Sequence, residues 1–192
     1  ASSTGPGVMA SFSGNALLSA GLVLVACVLA LMVTGSHGEY RQFLPCNSTR
    51  YSHLPARLLL KGCDDSQRCP LYRGDSVSME IKFVAPTDTT GVYRSMYGVF
   101  SGSNSRRGRE TRVRYGREVN VCNATTSTSG QTCVQSHGLQ HGTEYISDGT
   151  FKVMQYFPKV SVDVEIELYG KENRVIKPVA CVRVPVEIMD RV

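Results

Sequence analysis

From Val160 to Leu168 every second residue is apolar: Val160, Val162, Val164, Ile166 and Leu168 alternate with Ser161, Asp163, Glu165 and Glu167. A period of two belongs to an extended strand with one buried face, whereas a helix returns to the same face only every 3.6 residues or so. Val77, Met79, Ile81 and Phe83 repeat the pattern against Ser78, Glu80 and Lys82. Tyr169–Gly170–Lys171–Glu172–Asn173 reads as a turn, and a last strand follows around Val182, Val184, Val186 and Ile188. Pro185 within it points to an edge or a bulge, because proline cannot donate to a ladder. Weaker strands are expected near Arg57–Leu60, Val92–Phe100, Arg112–Val121, Tyr145–Ile146 and Phe151–Tyr156. No stretch after Glu39 keeps a helical period over three turns. About seven short strands with turns between them predict an all-β chain folded as a two-sheet antiparallel sandwich. By alternation Met79, Ile81, Phe83, Val99, Val160, Val162 and Val164 point inward, and Asp163, Glu165 and Glu167 read as solubilising residues on the outer face.

The chain has 192 residues, a length that suits one domain plus a processed segment. No Lys, Arg, Asp or Glu precedes Glu39, and Ala16–Val33 is apolar apart from Ser19 and Gly21. The small residues Thr34–Gly38 follow, so residues 1–38 are expected to be a secretory signal cleaved after Gly38, with residues 1–8 upstream of a start at Met9. The alternative is an uncleaved anchor, for which eighteen residues is the lower limit. The expected mature domain is residues 39–192. It keeps Cys46, Cys63, Cys69, Cys122, Cys133 and Cys181, and an even number in an exported chain points to disulfides. Six cysteines allow about fifteen pairings, and sequence alone does not choose among them. Loop entropy favours Cys63 with Cys69 and Cys122 with Cys133, leaving Cys46 for Cys181. The sequons at Asn47 and Asn123 would be glycosylation sites in an exported chain.

One family resembles this chain at several places. Gly62-Cys63, then Cys69-Pro70-Leu71-Tyr72-Arg73-Gly74 and the alternating strand Ser76–Phe83, resemble the opening of the lipid-recognition (ML) domain, the family of the Niemann–Pick type C2-like sterol carriers and the group 2 mite allergens. Tyr156-Phe157-Pro158 ahead of Val160–Leu168, and Cys181-Val182-Arg183-Val184-Pro185-Val186, resemble later parts of the same domain, and the match runs over residues 46–190. The resemblance implies an immunoglobulin-like sandwich with an internal apolar cavity and three disulfides, the outermost cysteines joined and two local loops closed. It implies that a valine and an aromatic before the long strand line the pocket, at the positions of Val153 and Phe157. It implies a secreted or lysosomal carrier that holds a sterol or other single lipid, or a lipid or glycolipid recognition module acting with a receptor in innate immune signalling. Burying roughly 400 Å² of lipid would contribute on the order of 10 kcal/mol before ordering costs. The sterol branch has an entrance loop containing Pro and Phe. Here the matching stretch Ser101–Arg112 is longer and has no such pair, a departure that bears on sterol specificity more than on lipid binding.

That stretch opens an arginine cluster: Arg106, Arg107, Arg109, Arg112, Arg114 and Arg117. Against Glu110 and Glu118 it supplies four of the net charge of +5. Arg106, Arg107 and Arg109 are candidates for a rim contacting anionic head groups or an anionic membrane surface, and a lipid-accepting membrane protein is a second expected partner. The alternatives are a solvated hairpin and a proteolytic site at Arg106–Arg107. A charge this mild does not point to nucleic acid, and a monomer is expected. The chain carries no Cys-x-x-Cys pair, nucleophile elbow, phosphate loop or dinucleotide fingerprint, and His137 and His141 lack a helical context for metal binding. Neither an enzyme nor a metal or cofactor site is expected.

Overall fold

The computed structural model describes residues 39–46, 50–51, 54–63, 67–101, 110–172 and 175–191. The expected signal segment, Asn47, and Arg106, Arg107 and Arg109 lie outside the described residues. The described residues form nine strands: β1 (Ala56–Leu60), β2 (Cys69–Tyr72), β3 (Ser76–Val84), β4 (Tyr93–Ser101), β5 (Glu110–Asn120), β6 (Thr125–Ser127), β7 (Glu144–Lys152), β8 (Val160–Glu172) and β9 (Val175–Met189). They build a four-stranded sheet in the order β1-β3-β7-β6 and a five-stranded sheet in the order β2-β9-β8-β4-β5. This is an all-β immunoglobulin-like sandwich with one parallel pair, β2 with β9, among antiparallel ones.

β3 keeps the alternation its sequence predicts: Val77, Met79, Ile81 and Phe83 are buried and the residues between them are not. β8 does not, because both of its faces are covered from Glu165 to Gly170. The expected strands at Tyr145–Ile146 and Phe151–Tyr156 are one strand up to Lys152, held by β3 through Ser147 opposite Ile81 and Gly149 opposite Met79. The pair β8–β9 runs on past the expected turn, with Lys171 opposite Ile176. β2 and β6, of four and three residues, are too short to register as a period.

Pro185 sits in an interior strand without costing a ladder bond. The Arg183 carbonyl accepts from Leu44 N–H (3.0 Å) and the Met189 carbonyl from Arg73 N–H (2.9 Å), so odd-numbered residues turn their backbone groups toward that flank. β2 begins only opposite Val186, and the missing donor of Pro185 falls between Leu44 and β2.

The inward faces interdigitate over most of the sandwich. Leu58, Met79, Ile81 and Phe83 from one sheet and Ile166, Leu168, Val182, Val184 and Val186 from the other are all essentially inaccessible. One flank is closed by residues 39–46, where Arg41 and Leu58 exchange backbone bonds of 2.9 Å and Leu44 bonds to β9. The three disulfides are Cys46–Cys181, Cys63–Cys69 and Cys122–Cys133. The first ties this flank to β9, the second joins the ends of the β1–β2 connection, and the third closes the loop around β6. Asn123 is exposed in a single 3-10 turn, Cys122–Ala124.

The stabilisation from a cross-link grows with the loop it closes. Cys46–Cys181 spans 135 residues and Cys63–Cys69 spans 6. Replacing both members of the first pair by Ala should therefore cost about 2–3 kcal/mol more than replacing both members of the second. Urea unfolding of the two double variants checks this, and equal losses would contradict it.

Candidate functional site

The four-stranded sheet is too narrow to cover its partner. Its outermost strand β6 lies along β7 only from Tyr145 to Ser147, so among the described residues no strand continues the sheet beside the far end of β7. Opposite that gap lie the inward faces of β4 and β5. The gap forms a cavity of about 250 Å³. Met96, Gly98 and Phe100 of β4, Val113 and Tyr115 of β5, and Val160, Val162 and Val164 of β8 make one wall. Leu71 of β2 and Ile188 of β9 extend it, and Phe151 of β7 with Val153, Phe157 and Pro158 closes the other side. The exposed lining is almost wholly apolar.

Local backbone bonds hold the second wall. Val153 N–H donates to Asp75 O (2.8 Å) and Gly74 N–H to Val153 O (2.6 Å), which pins the start of the β7–β8 connection beside β3. Phe157 N–H then turns back to Met154 O (3.1 Å). This turn brings the Phe157 ring edge-on to Tyr115 at 5.7 Å and to Tyr156 at 5.3 Å. The Tyr115 hydroxyl donates to Lys152 O (2.7 Å), joining β5 to β7 across the gap. Gly98 has its own reason to lack a side chain: a β-carbon there would meet the Phe100 ring at 3.3 Å and Val162 at 3.6 Å. At the mouth Phe100, Val113 and Tyr156 remain 36%, 53% and 79% exposed.

Of the residues expected inside, Val153, Phe157, Val160, Val162 and Val164 line the cavity. Met79, Ile81 and Phe83 point inward but belong to the packed part of the core. Val99 does not point inward. It pairs with Asp163 of β8, and its neighbours Gly98 and Phe100 carry the inward face of β4. Both faces of β4 are partly apolar, so its parity was not readable. Met96, Gly98, Phe100, Tyr115 and Phe151 were missed for the same reason or because they lie in weakly patterned strands. The alternation of Val113 and Tyr115 with arginines was the available signal for β5.

The outer face of the five-stranded sheet also differs from expectation. Glu165 and Glu167 are 2% and 8% exposed, so they are not solubilising residues. Arg112 covers them, donating from Nη2 to Glu165 Oε1 (2.5 Å) and Glu167 Oε1 (2.9 Å), while its guanidinium stacks 4.0 Å above the Tyr97 ring. Arg183 bonds to both oxygens of Glu110 (2.7 and 3.0 Å) and to Asp163 (2.8 Å). Burial raises the pKa of Glu165 above the usual carboxylate range, against the pull of Arg112. Bonds to Glu110, outweighing burial, raise that of Arg183. The sulfurs of Cys46 and Cys181 approach Glu165, a grouping that would suit a metal only with free thiolates, and here they are bonded to each other. His137 and His141 are exposed in turns and join no such group among the described residues.

Fold and cavity define a class: β-sandwiches that keep an apolar hollow between their sheets. The chain belongs to the ML domain family, whose family model matches residues 42–188. It is a lipid-binding family. Among solved structures, the Niemann–Pick type C2 protein of the Japanese carpenter ant is similar, at 17% identity and a TM-score of 0.52, over 80% of this chain and 96% of that one. The Bacillus subtilis sporulation control protein Spo0M shares 12% identity over 72% of this chain and 50% of its own, with a TM-score of 0.41. Chicken MD-1 complexed with lipid IVa shares 11% identity over 78% of this chain and 99% of its own, with a TM-score of 0.38. No curated protein matches the chain.

Removing Arg112 should strand two buried carboxylates. We expect Arg112→Met to lose about 1–3 kcal/mol at pH 7, less than for a fully buried pair because Arg112 is partly exposed. The sign with pH follows from Glu165: a carboxyl whose pKa is raised by folding favours the fold below its unfolded pKa, and that advantage is lost as pH rises through the folded value. The variant's deficit relative to the wild type should therefore shrink between pH 7 and pH 5. Denaturant midpoints at the two pH values measure it, and a deficit that grows on acidification would contradict the assignment.

Proposed function

We propose that the protein holds one lipid, a sterol or another lipid of comparable size, between its two sheets and passes it between membranes or to a partner protein. The observation that carries this reading is the apolar cavity of about 250 Å³ beneath Phe157 and Tyr115. A dry hole of roughly 150 Å³ is enough to hold benzene, and small-molecule pockets begin near 300 Å³. A lipid therefore enters by a modest parting of the Phe157 turn from β5, or leaves part of itself at the mouth. Such an opening breaks the Tyr115–Lys152 bond and the edge-on contact of Tyr115 with Phe157 while the disulfide-tied flank and the packed core stay in place. No reacting group is required, because burial of apolar ligand surface is itself the driving force.

The exposed Phe100, Val113 and Tyr156 mark the face we expect to meet a membrane. Three disulfides fit an oxidising setting such as the secreted or lysosomal space.

Val162→Trp fills the cavity from its wall. We expect the wild type to speed transfer of a fluorescent sterol or fatty acid between vesicles with no receptor present, and the variant to lose at least about ten-fold of that rate while its melting temperature stays within a few degrees. Unchanged transfer by a folded Val162→Trp protein would contradict the cavity as the lipid site. Binding without transfer would favour a presenting module instead.

A further inference from the structure

A charged side chain stands on one inward face of the sandwich. Arg94 of β4 stands opposite Leu168 of β8, and Met96 opposite Ile166, so Arg94 and Met96 share the inward face. Across the gap from Arg94 is Gly149 of β7. A β-carbon on Gly149 would lie 1.7 Å from Arg94 Nη1 and 2.7 Å from Cζ, so the guanidinium occupies the space a side chain would fill. The glycine is what admits the arginine.

The guanidinium is poorly satisfied. Of its five N–H donors, one makes a long bond, 3.4 Å, from Nη1 to the Asp148 carbonyl. Among the described residues no carboxylate forms an ion pair with it. The Asp148 side chain belongs to the opposite face of β7, where it pairs across strands with Glu80. Burial lowers the pKa of Arg94, and no neighbouring anion offsets this. A half-buried cation without a counter-anion is costly to keep.

The position is next to the cavity. Met96 follows Arg94 on β4 and Phe151 follows Gly149 on β7, each by one pleat repeat, about 7 Å, and both line the hollow. Val119 of β5, which pairs with Arg94, is 48% exposed, so the seam at this level is open to solvent.

We propose that Arg94 anchors the oxyanion head group, carboxylate or phosphate monoester, of a single-tailed lipid whose tail lies in the cavity. This rests on the lipid-holding reading of that cavity and narrows its ligand class. The guanidinium fork matches either anion through two parallel bonds. The head meets Arg94 at the seam while the first carbons pass Met96 and Phe151.

The test is displacement of a neutral dye, N-phenyl-1-naphthylamine, from the full chain at pH 8. The competitors are oleic acid, monooleyl phosphate and methyl oleate. On the wild type the two anionic lipids should compete roughly ten-fold better than the ester, the worth of a charge-assisted pair of bonds. Arg94→Met, checked for folding by its thermal melt, should bring the acid to the level of the ester and leave the ester unchanged. Inorganic phosphate in excess should leave oleate binding as it was. Equal competition by acid and ester on the wild type, or an Arg94→Met variant that weakens both alike, would overturn the anchor. Phosphate that blocks oleate would overturn the lipid source in favour of a free-anion site. Failure of dye and lipids to bind at all would overturn the cavity reading beneath it.

Discussion

Two sheets of unequal width cannot cover each other. The five-stranded sheet presents inward apolar residues along β4 and β5, and the four-stranded sheet ends beside them in a strand of three residues. Where strands face each other, side chains mesh and the core is closed around Met79, Ile81, Leu168 and Val184. Where they do not, Met96, Val113, Tyr115 and Val162 face a space that the Phe157 turn roofs but does not fill. The cavity follows from the strand count and needs no special residue except a small one, Gly98, in its wall.

A hollow sandwich gives up core contacts, and the rest of the molecule is arranged to hold the shell without them. The outer face of the five-stranded sheet carries a cross-strand ionic layer, in which Arg112 joins β5 to β8, and Arg183 of β9 meets Asp163 of β8 and Glu110 of β5. Such layers do not stabilise more than an apolar one of equal volume. They do make strand register discrete, since a slip by one residue would turn every carboxylate inward. Cys46–Cys181 fastens the N-terminal flank to the same face. The ionic layer and this disulfide therefore lie on the outside and at one flank, away from the turn over the mouth.

Much of this was legible in the sequence. β3 and β8 announced themselves by alternation, and the cysteine pairing matched both loop entropy and family resemblance. Alternation gives parity within a strand but not what stands across from it. Glu165 and Glu167 sat on the outer face as expected, but the covering Arg112 lies 53 and 55 residues earlier, on another strand, a relation that periodicity cannot carry. Val99 was misplaced because β4 has apolar residues on both faces, so nothing in Tyr97-Gly98-Val99-Phe100 shows which way it faces. Arg94 gave no signal because its place depends on a glycine 55 positions away on the facing sheet.

The central claim is that the hollow takes one lipid molecule. Native mass spectrometry of the protein after incubation with a total lipid extract tests it most directly. The account predicts a retained adduct of one lipid mass per chain, lost when collisional energy unfolds the protein. A spectrum showing only the empty chain, or a ladder of adducts with no preferred stoichiometry, would contradict it.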